Sequence, residues 1–299
     1  MGEIPQAPET APESAPPAPL PDPPPRVWTI GLALLAMFTG VATIGLVVAL
    51  VVFGTATGGA EAGEPLVGTL PGLLVLAGAT TTWVTLVALI AARLSPEAAL
   101  VRLGLVEVRG LDPIAWGAAL LGGLALSQAV DLALRLSGAG RGIALDHMLG
   151  VLAGARGPWL AVSVLVVGVG AGLAEELFFR GYVQRRLVAR YGGTAGVIAA
   201  AALFALAHLD PQHSVFAFLF GLYVGALALW TGSTWPAIVI HAANNAAAVL
   251  LVASGADEAG QAATSTNRLL IVFVVYAAVA VAALAFVRRR LNVMGSVRP

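Results

Sequence analysis

Long apolar stretches, broken by short runs of glycine, proline and charge, set the pattern of this chain. A helix needs about 20 apolar residues to cross the hydrocarbon of a bilayer at about 1.5 Å per residue. On that rule the pattern predicts eight spans, at approximately 28–53, 71–92, 114–136, 160–184, 194–209, 213–230, 235–253 and 268–287. The breaks between them, such as GTATGGAEAGEP, RYGG, LDPQ and TGSTWP, are rich in residues that end helices or form turns. The fifth span is the shortest. No internal repeat and no inverted pair of interrupted helices, a mark of many transporters, is visible. The expected fold is all-α: a polytopic membrane helix bundle.

Composition agrees. The chain is 59% hydrophobic and 11% charged, against about 25% charged in soluble domains. Its formal net charge is zero, which gives no electrostatic basis for a nucleic-acid partner. Cysteine is absent, which excludes a disulfide framework, a thiolate zinc site and a cysteine nucleophile. Residues 1–26 are proline-rich and acidic, lack the basic start of a signal peptide, and read as a disordered cytoplasmic tail. Residues 27–110 supply the first membrane helices, 111–255 a core that holds the unusual polar residues, and 256–299 a last helix with a basic tail.

Every basic residue is arginine, and arginine sets the orientation. With the N-terminus inside, the cytoplasmic segments carry Arg26, Arg93, Arg102, Arg109, Arg185, Arg186, Arg190, Arg288, Arg289, Arg290 and Arg298. The outer segments carry Arg135, Arg141, Arg156 and Arg268. Eleven against four satisfies the positive-inside rule, so both termini are expected in the cytoplasm. The acidic pairs Glu61/Glu64 and Asp257/Glu258 then fall outside.

Against this background the intramembrane ionisable residues stand out, because each costs roughly 2.5–3.5 kcal/mol at a span centre. Glu175, Glu176 and Arg180 lie in the fourth span, His208 ends the fifth, and His241 and Asn245 lie in the seventh. Counting from the span ends places Glu175 and Asn245 about 15 Å deep, His208 about 20 Å and His241 about 9 Å. Glu176 and Arg180 are four apart and form an ion pair on one helix face. Glu175, rotated about 100° from Glu176, is free to face a cavity.

The remaining polar and aromatic residues have plainer readings. Asn244 is expected to act as interhelical glue, and Asp210 and His213 belong to an outer turn. Asp131 and Arg135, with Gln128 nearby, form a structural ion pair. Trp28, Trp83, Trp159 and Trp235 are read as interfacial anchors. Gly170, Gly172, Gly221 and Gly225 allow helices to approach closely.

Three motifs carry a resemblance: AEELFFR reads as EExxxR, FALAH as FxxxH, and HAANN as HxxxN through His241 and Asn245. In that order, on three separate spans, they resemble the CPBP family of type II CAAX prenyl endopeptidases and Abi proteins, over roughly residues 110–255. The resemblance implies a multi-pass cell-membrane endopeptidase in which Glu175 and His208 activate a water. His241 and Asn245 would stabilise the oxyanion, and Glu176 and Arg180 would support them.

Family members often carry the metalloprotease label, and Glu175, His208 and His241 are the residues that would hold zinc. The spacing is not HExxH and asparagine is a poor zinc ligand, so a glutamate mechanism without a cofactor is preferred. The implied substrates are prenylated CAAX-type segments or leader peptides, cut near the cytoplasmic leaflet. Two other classes fit the same polar residues: a non-catalytic immunity or peptide-binding protein, and a proton-coupled transporter.

Overall fold

The computed structural model describes residues 26–56, 68–94, 97–256 and 265–296. The proline-rich tail and both outer acidic pairs lie outside the described residues. Among those described there are ten helices and no strand: α1 (Trp28–Ala56), α2 (Leu70–Arg93), α3 (Ala99–Arg102), α4 (Pro113–Leu136), α5 (Ile143–Leu152), α6 (Gly157–Tyr191), α7 (Gly193–Leu206), α8 (Pro211–Thr231), α9 (Trp235–Ala253) and α10 (Thr266–Ser296). Seven of them, α1, α2, α4, α6, α8, α9 and α10, are long and apolar enough to cross a membrane. The chain is a multi-pass membrane protein.

The fifth predicted span is a 14-residue helix, α7, about 21 Å long against a hydrocarbon core of about 30 Å. Its far end turns at Ala207–Asp210, within the thickness of the protein. Irregular backbone at such depth is tolerated only where protein buries it or water reaches it. This turn borders the cavity described below.

Local chemistry sets the helix starts. Asp112 precedes Pro113 and its Oδ1 accepts from the Ala115 amide at 2.7 Å. Asp210 precedes Pro211 and accepts from the His213 amide at 3.0 Å. Each pairs an N-cap acceptor with a proline whose missing N–H costs nothing at the first helical position. Gly232, at φ 68°, closes α8 in the left-handed conformation that glycine adopts freely.

Polar contacts sort the helix ends into two groups. At one end Thr234 Oγ1 donates to the Leu103 carbonyl at 2.7 Å and Ser233 Oγ to that of Val106 at 2.8 Å. Arg185 Nη1 donates to Gly232 O at 3.4 Å, and Arg290 pairs with Asp112 at 3.3 Å. The loop before α4, the end of α6, the α8–α9 turn and the end of α10 therefore meet. At the other end Arg141 pairs with Asp131, and Gly142 packs on the Asp210 carboxylate so closely that a Cβ would fall 2.3 Å from it. Seven of the eight expected spans are helices of crossing length, and the fifth is the shorter α7.

One expected anchor lies elsewhere. Trp28, Trp159 and Trp235 are 59%, 49% and 42% exposed near span ends, but Trp83 is in the middle of α2. Its Nε1 donates to the Ala36 carbonyl of α1 at 3.0 Å, and its ring occupies the room left by Gly40. Trp83 thus ties α1 to α2. Trp83→Phe is expected to cost about 0.6–1.7 kcal/mol, read as a lower unfolding midpoint in detergent with turnover retained.

Candidate active site

Helix α6 carries the two glutamates on a short α-helical segment, Ala171–Glu176, between two π-helical stretches, Val164–Gly170 and Leu177–Gln184. A π turn inserts one residue per turn and so re-aims the side chains beyond it; such turns recur at functional sites. Helix α9 lies close alongside. A Cβ on Gly172 would fall 2.8 Å from the Ala242 amide nitrogen, and one on Gly168 would fall 3.0 Å from Ala246 Cα. This backbone-to-backbone approach lets His241 reach the glutamates. Gly172→Val is expected to force the helices apart, costing about 1–3 kcal/mol and abolishing turnover; thermal unfolding and activity of the purified variant check both.

The approach builds a buried network. Glu176 is fully buried and its Oε1 accepts from Arg180 Nη1 at 2.8 Å and from His241 Nδ1 at 2.7 Å. The Arg180 guanidinium lies over the Phe204 ring at 4.4 Å, a favourable cation–π geometry. The predicted Glu176–Arg180 pair is present, and Glu176 also holds His241. With its Nδ1 proton committed to Glu176, His241 presents Nε2 to Glu175 Oε2, 3.8 Å away. That gap exceeds a direct hydrogen bond and has the scale of a water-bridged one.

Glu175 is the less buried carboxylate, 31% exposed at its side chain. It faces a cavity of about 580 Å³ whose wall includes His208, His241, Asn244 and Asn245. All four residues expected to be catalytic therefore line one space. His208 follows α7, where its Nδ1 donates to the Phe204 carbonyl at 2.8 Å. A ring that donates from Nδ1 keeps Nε2 as an acceptor when neutral. Asn244 Nδ2 donates to Asn245 Oδ1 at 3.4 Å, which leaves the Asn245 amide N–H groups as its donors. Asn244, read as glue, thus orients its neighbour.

Two features escaped the sequence reading. His213 lies in the first turn of α8 with its ring 4.3 Å from that of His208, and it lines the same cavity. The signal was present in DPQH: an N-cap aspartate and a proline start α8 there, and the tight turn folds His213 back onto His208. The second is the cavity mouth. Asp131 pairs with Arg135 as expected, at 2.8 Å, but also with Arg141, and Asp131 and Arg141 line the cavity.

The comparisons now bear on this site. A family model described as Type II CAAX prenyl endopeptidase Rce1-like matches residues 157–247. Over those residues the chain is similar to that family. The match begins at the start of α6 and ends within α9, so it spans every motif that carried the resemblance. No curated protein matches the chain, and no solved structure does.

Zinc was tested against the residues that would hold it. Among the described residues no three His, Cys, Asp or Glu side chains are grouped closely enough for a metal ion. His241 and His208 each commit Nδ1, to Glu176 and to the Phe204 carbonyl, and keep Nε2 toward the cavity, the arrangement a metal-ligating histidine also has. No step below passes through a metal.

The cavity draws on most of the bundle: its walls come from the second half of α4, from α5, the middle of α6, the end of α7, the first half of α8, α9 from His241 onward, and Tyr276 of α10. No residue of 103–112, 185–191 or 232–234 takes part. Asp131 and Arg141 are its charged residues nearest the α4–α5 connection.

Proposed function

We propose that this protein is an intramembrane endopeptidase in which Glu175 activates a water for attack on a peptide bond. The observation that carries the reading is the alignment Arg180–Glu176–His241–Glu175 beside a cavity that also holds His208 and Asn245. Glu175 removes a proton from the water, with His208 Nε2 accepting the second hydrogen bond. The water oxygen bonds to the carbonyl carbon. The oxyanion is held by His241 Nε2–H and the Asn245 amide. Glu175 then delivers its proton to the nitrogen as the C–N bond breaks, and a new carboxylate and amine leave.

The role asks His241 to donate from both nitrogens, with Glu176 at its Nδ1 taking the part a buried carboxylate plays toward a catalytic histidine elsewhere. Each oxyanion donor of this kind is worth about 2.7–4 kcal/mol.

Substrates on this reading are membrane-associated polypeptides, either prenylated CAAX-type segments or leader peptides. Mapping new N- and C-termini in membranes from cells with and without the protein tests the reaction. Termini that appear only with the active protein support it; identical termini refute it. Chelator treatment of the purified protein is expected to leave turnover unchanged, whereas loss of activity restored by added zinc would overturn the metal-free mechanism.

A further inference from the structure

We propose that Arg102, Arg185 and Arg186 bind the phosphate of an anionic phospholipid. They lie at the end of the bundle where the loop before α4 meets the α8–α9 turn. None of the three lines the catalytic cavity, so the site stands apart from the roles assigned above.

The first observation is an excess of cations short of acceptors. Arg102 ends α3, and Arg185 and Arg186 follow the π-helical stretch of α6 that ends at Gln184. Gly104 passes so close to Arg185 that a Cβ would fall 3.1 Å from Nη1. Arg102 thereby comes near both α6 arginines, and its charge and that of Glu97 act on each of them. Three guanidinium groups share this one carboxylate, which is largely exposed with Oε2 3.9 Å from Arg102 Nε. Arg102 Nε is buried and has no hydrogen-bond partner among the described residues. Arg185 Nη1 donates to the Gly232 carbonyl at 3.4 Å and Arg186 Nη1 to that of Tyr182 at 3.5 Å, both long for such bonds. Arg186 is nonetheless buried, its guanidinium 3.7 Å over the Tyr182 ring. A guanidinium has five N–H donors, and donors stripped of water cost free energy until an acceptor meets them. Phosphate oxygens match that fork of donors.

The second observation is the apolar surface beside those cations. Leu94, Leu100 and Val101, on the segment that carries Glu97 and Arg102, are exposed. Tyr182, under Arg186, donates from its hydroxyl to the Thr29 carbonyl at 3.5 Å, next to the exposed Trp28. The start of the α1 span, the end of the α2 span and the last turns of α6 therefore meet around the arginines. Basic groups at span ends attract anionic headgroups, and the apolar side chains offer acyl chains a surface. A free phosphate ion would use the arginines alone. The net positive charge favours a lipid with a net negative headgroup over a zwitterionic one.

The test follows thermal unfolding of the full chain, purified in detergent and stripped of lipid. Phosphatidylglycerol, phosphatidylcholine with the same acyl chains, or inorganic phosphate is then added. A ligand that binds the folded protein raises its midpoint by mass action. The expected result is a saturable rise with phosphatidylglycerol, and none with the other two. Arg102→Gln and Arg185→Gln should each raise the apparent Kd for phosphatidylglycerol about tenfold or more. Arg289→Gln, which alters an exposed arginine of α10, should leave it unchanged. Arg185 is exposed, so its variant keeps the test open should Arg102→Gln not fold; the midpoint without lipid reports folding in each case. An equal rise with phosphatidylcholine would overturn the proposal, and an equal rise with inorganic phosphate would overturn the lipid as its source. Unchanged affinity in folded Arg185→Gln, or an equal loss in Arg289→Gln, would overturn the assignment to these residues.

Discussion

Glu176→Ala is expected to destabilise the protein and stop turnover together. Glu176 is fully buried and is the hydrogen-bonded anion for both Arg180 and His241. Removing it leaves the Arg180 guanidinium buried without its partner, a change that costs about 3–5 kcal/mol. It also frees the His241 ring to rotate, so Nε2 no longer faces Glu175. A lowered unfolding midpoint with no cleavage is the predicted pair of results. Arg180→Ala should destabilise by a similar amount, since it strands Glu176 in the same way. The double variant should cost less than the sum of the two, because neither charge is then left alone. Strictly additive losses would show that the pair is not coupled.

Glu175→Gln should do the opposite: keep the fold and lose the chemistry. The Glu175 side chain is partly exposed to the cavity and its nearest charged partner is 3.8 Å away, so an isosteric amide leaves no buried group stranded. An amide cannot take a proton from water at this position. The loss of a general base lowers kcat by about 10²–10⁴-fold, with KM little changed because the cavity wall is intact. His208→Ala should fall in the same class with a smaller loss, since it removes one acceptor for the water and leaves Glu175 in place.

Much of the fold was legible because a membrane simplifies the code. Span length and turn residues are direct consequences of a hydrocarbon slab, and seven of the eight expected spans are helices long and apolar enough to cross it. The fifth span is instructive: its apolar run continues through Ala207, but the helix ends at Leu206, His208 lines the cavity wall and Asp210 caps the next helix. Apolar periodicity cannot tell a full crossing from a helix that stops inside the protein. Trp83 shows the same limit, since an interfacial anchor and a buried strut read alike until Ala36 and Gly40 are set beside it.

The site was legible as a set and less so as a network. The cost of charge in lipid singled out Glu175, Glu176, Arg180, His208, His241 and Asn245, and their spacing placed them at one level. Which glutamate held which histidine depended on two π-helical stretches in α6 and on Gly168 and Gly172 against α9. Those are properties of packing.

The central claim is that Glu175 makes the attacking water reactive. The most direct test measures substrate binding and single-turnover cleavage on the same purified Glu175→Gln preparation, with wild-type protein alongside. Binding within a few-fold of wild type, with cleavage reduced by about 10²-fold or more, is the result expected here. Cleavage at the wild-type rate by a folded, substrate-bound Glu175→Gln protein would contradict it.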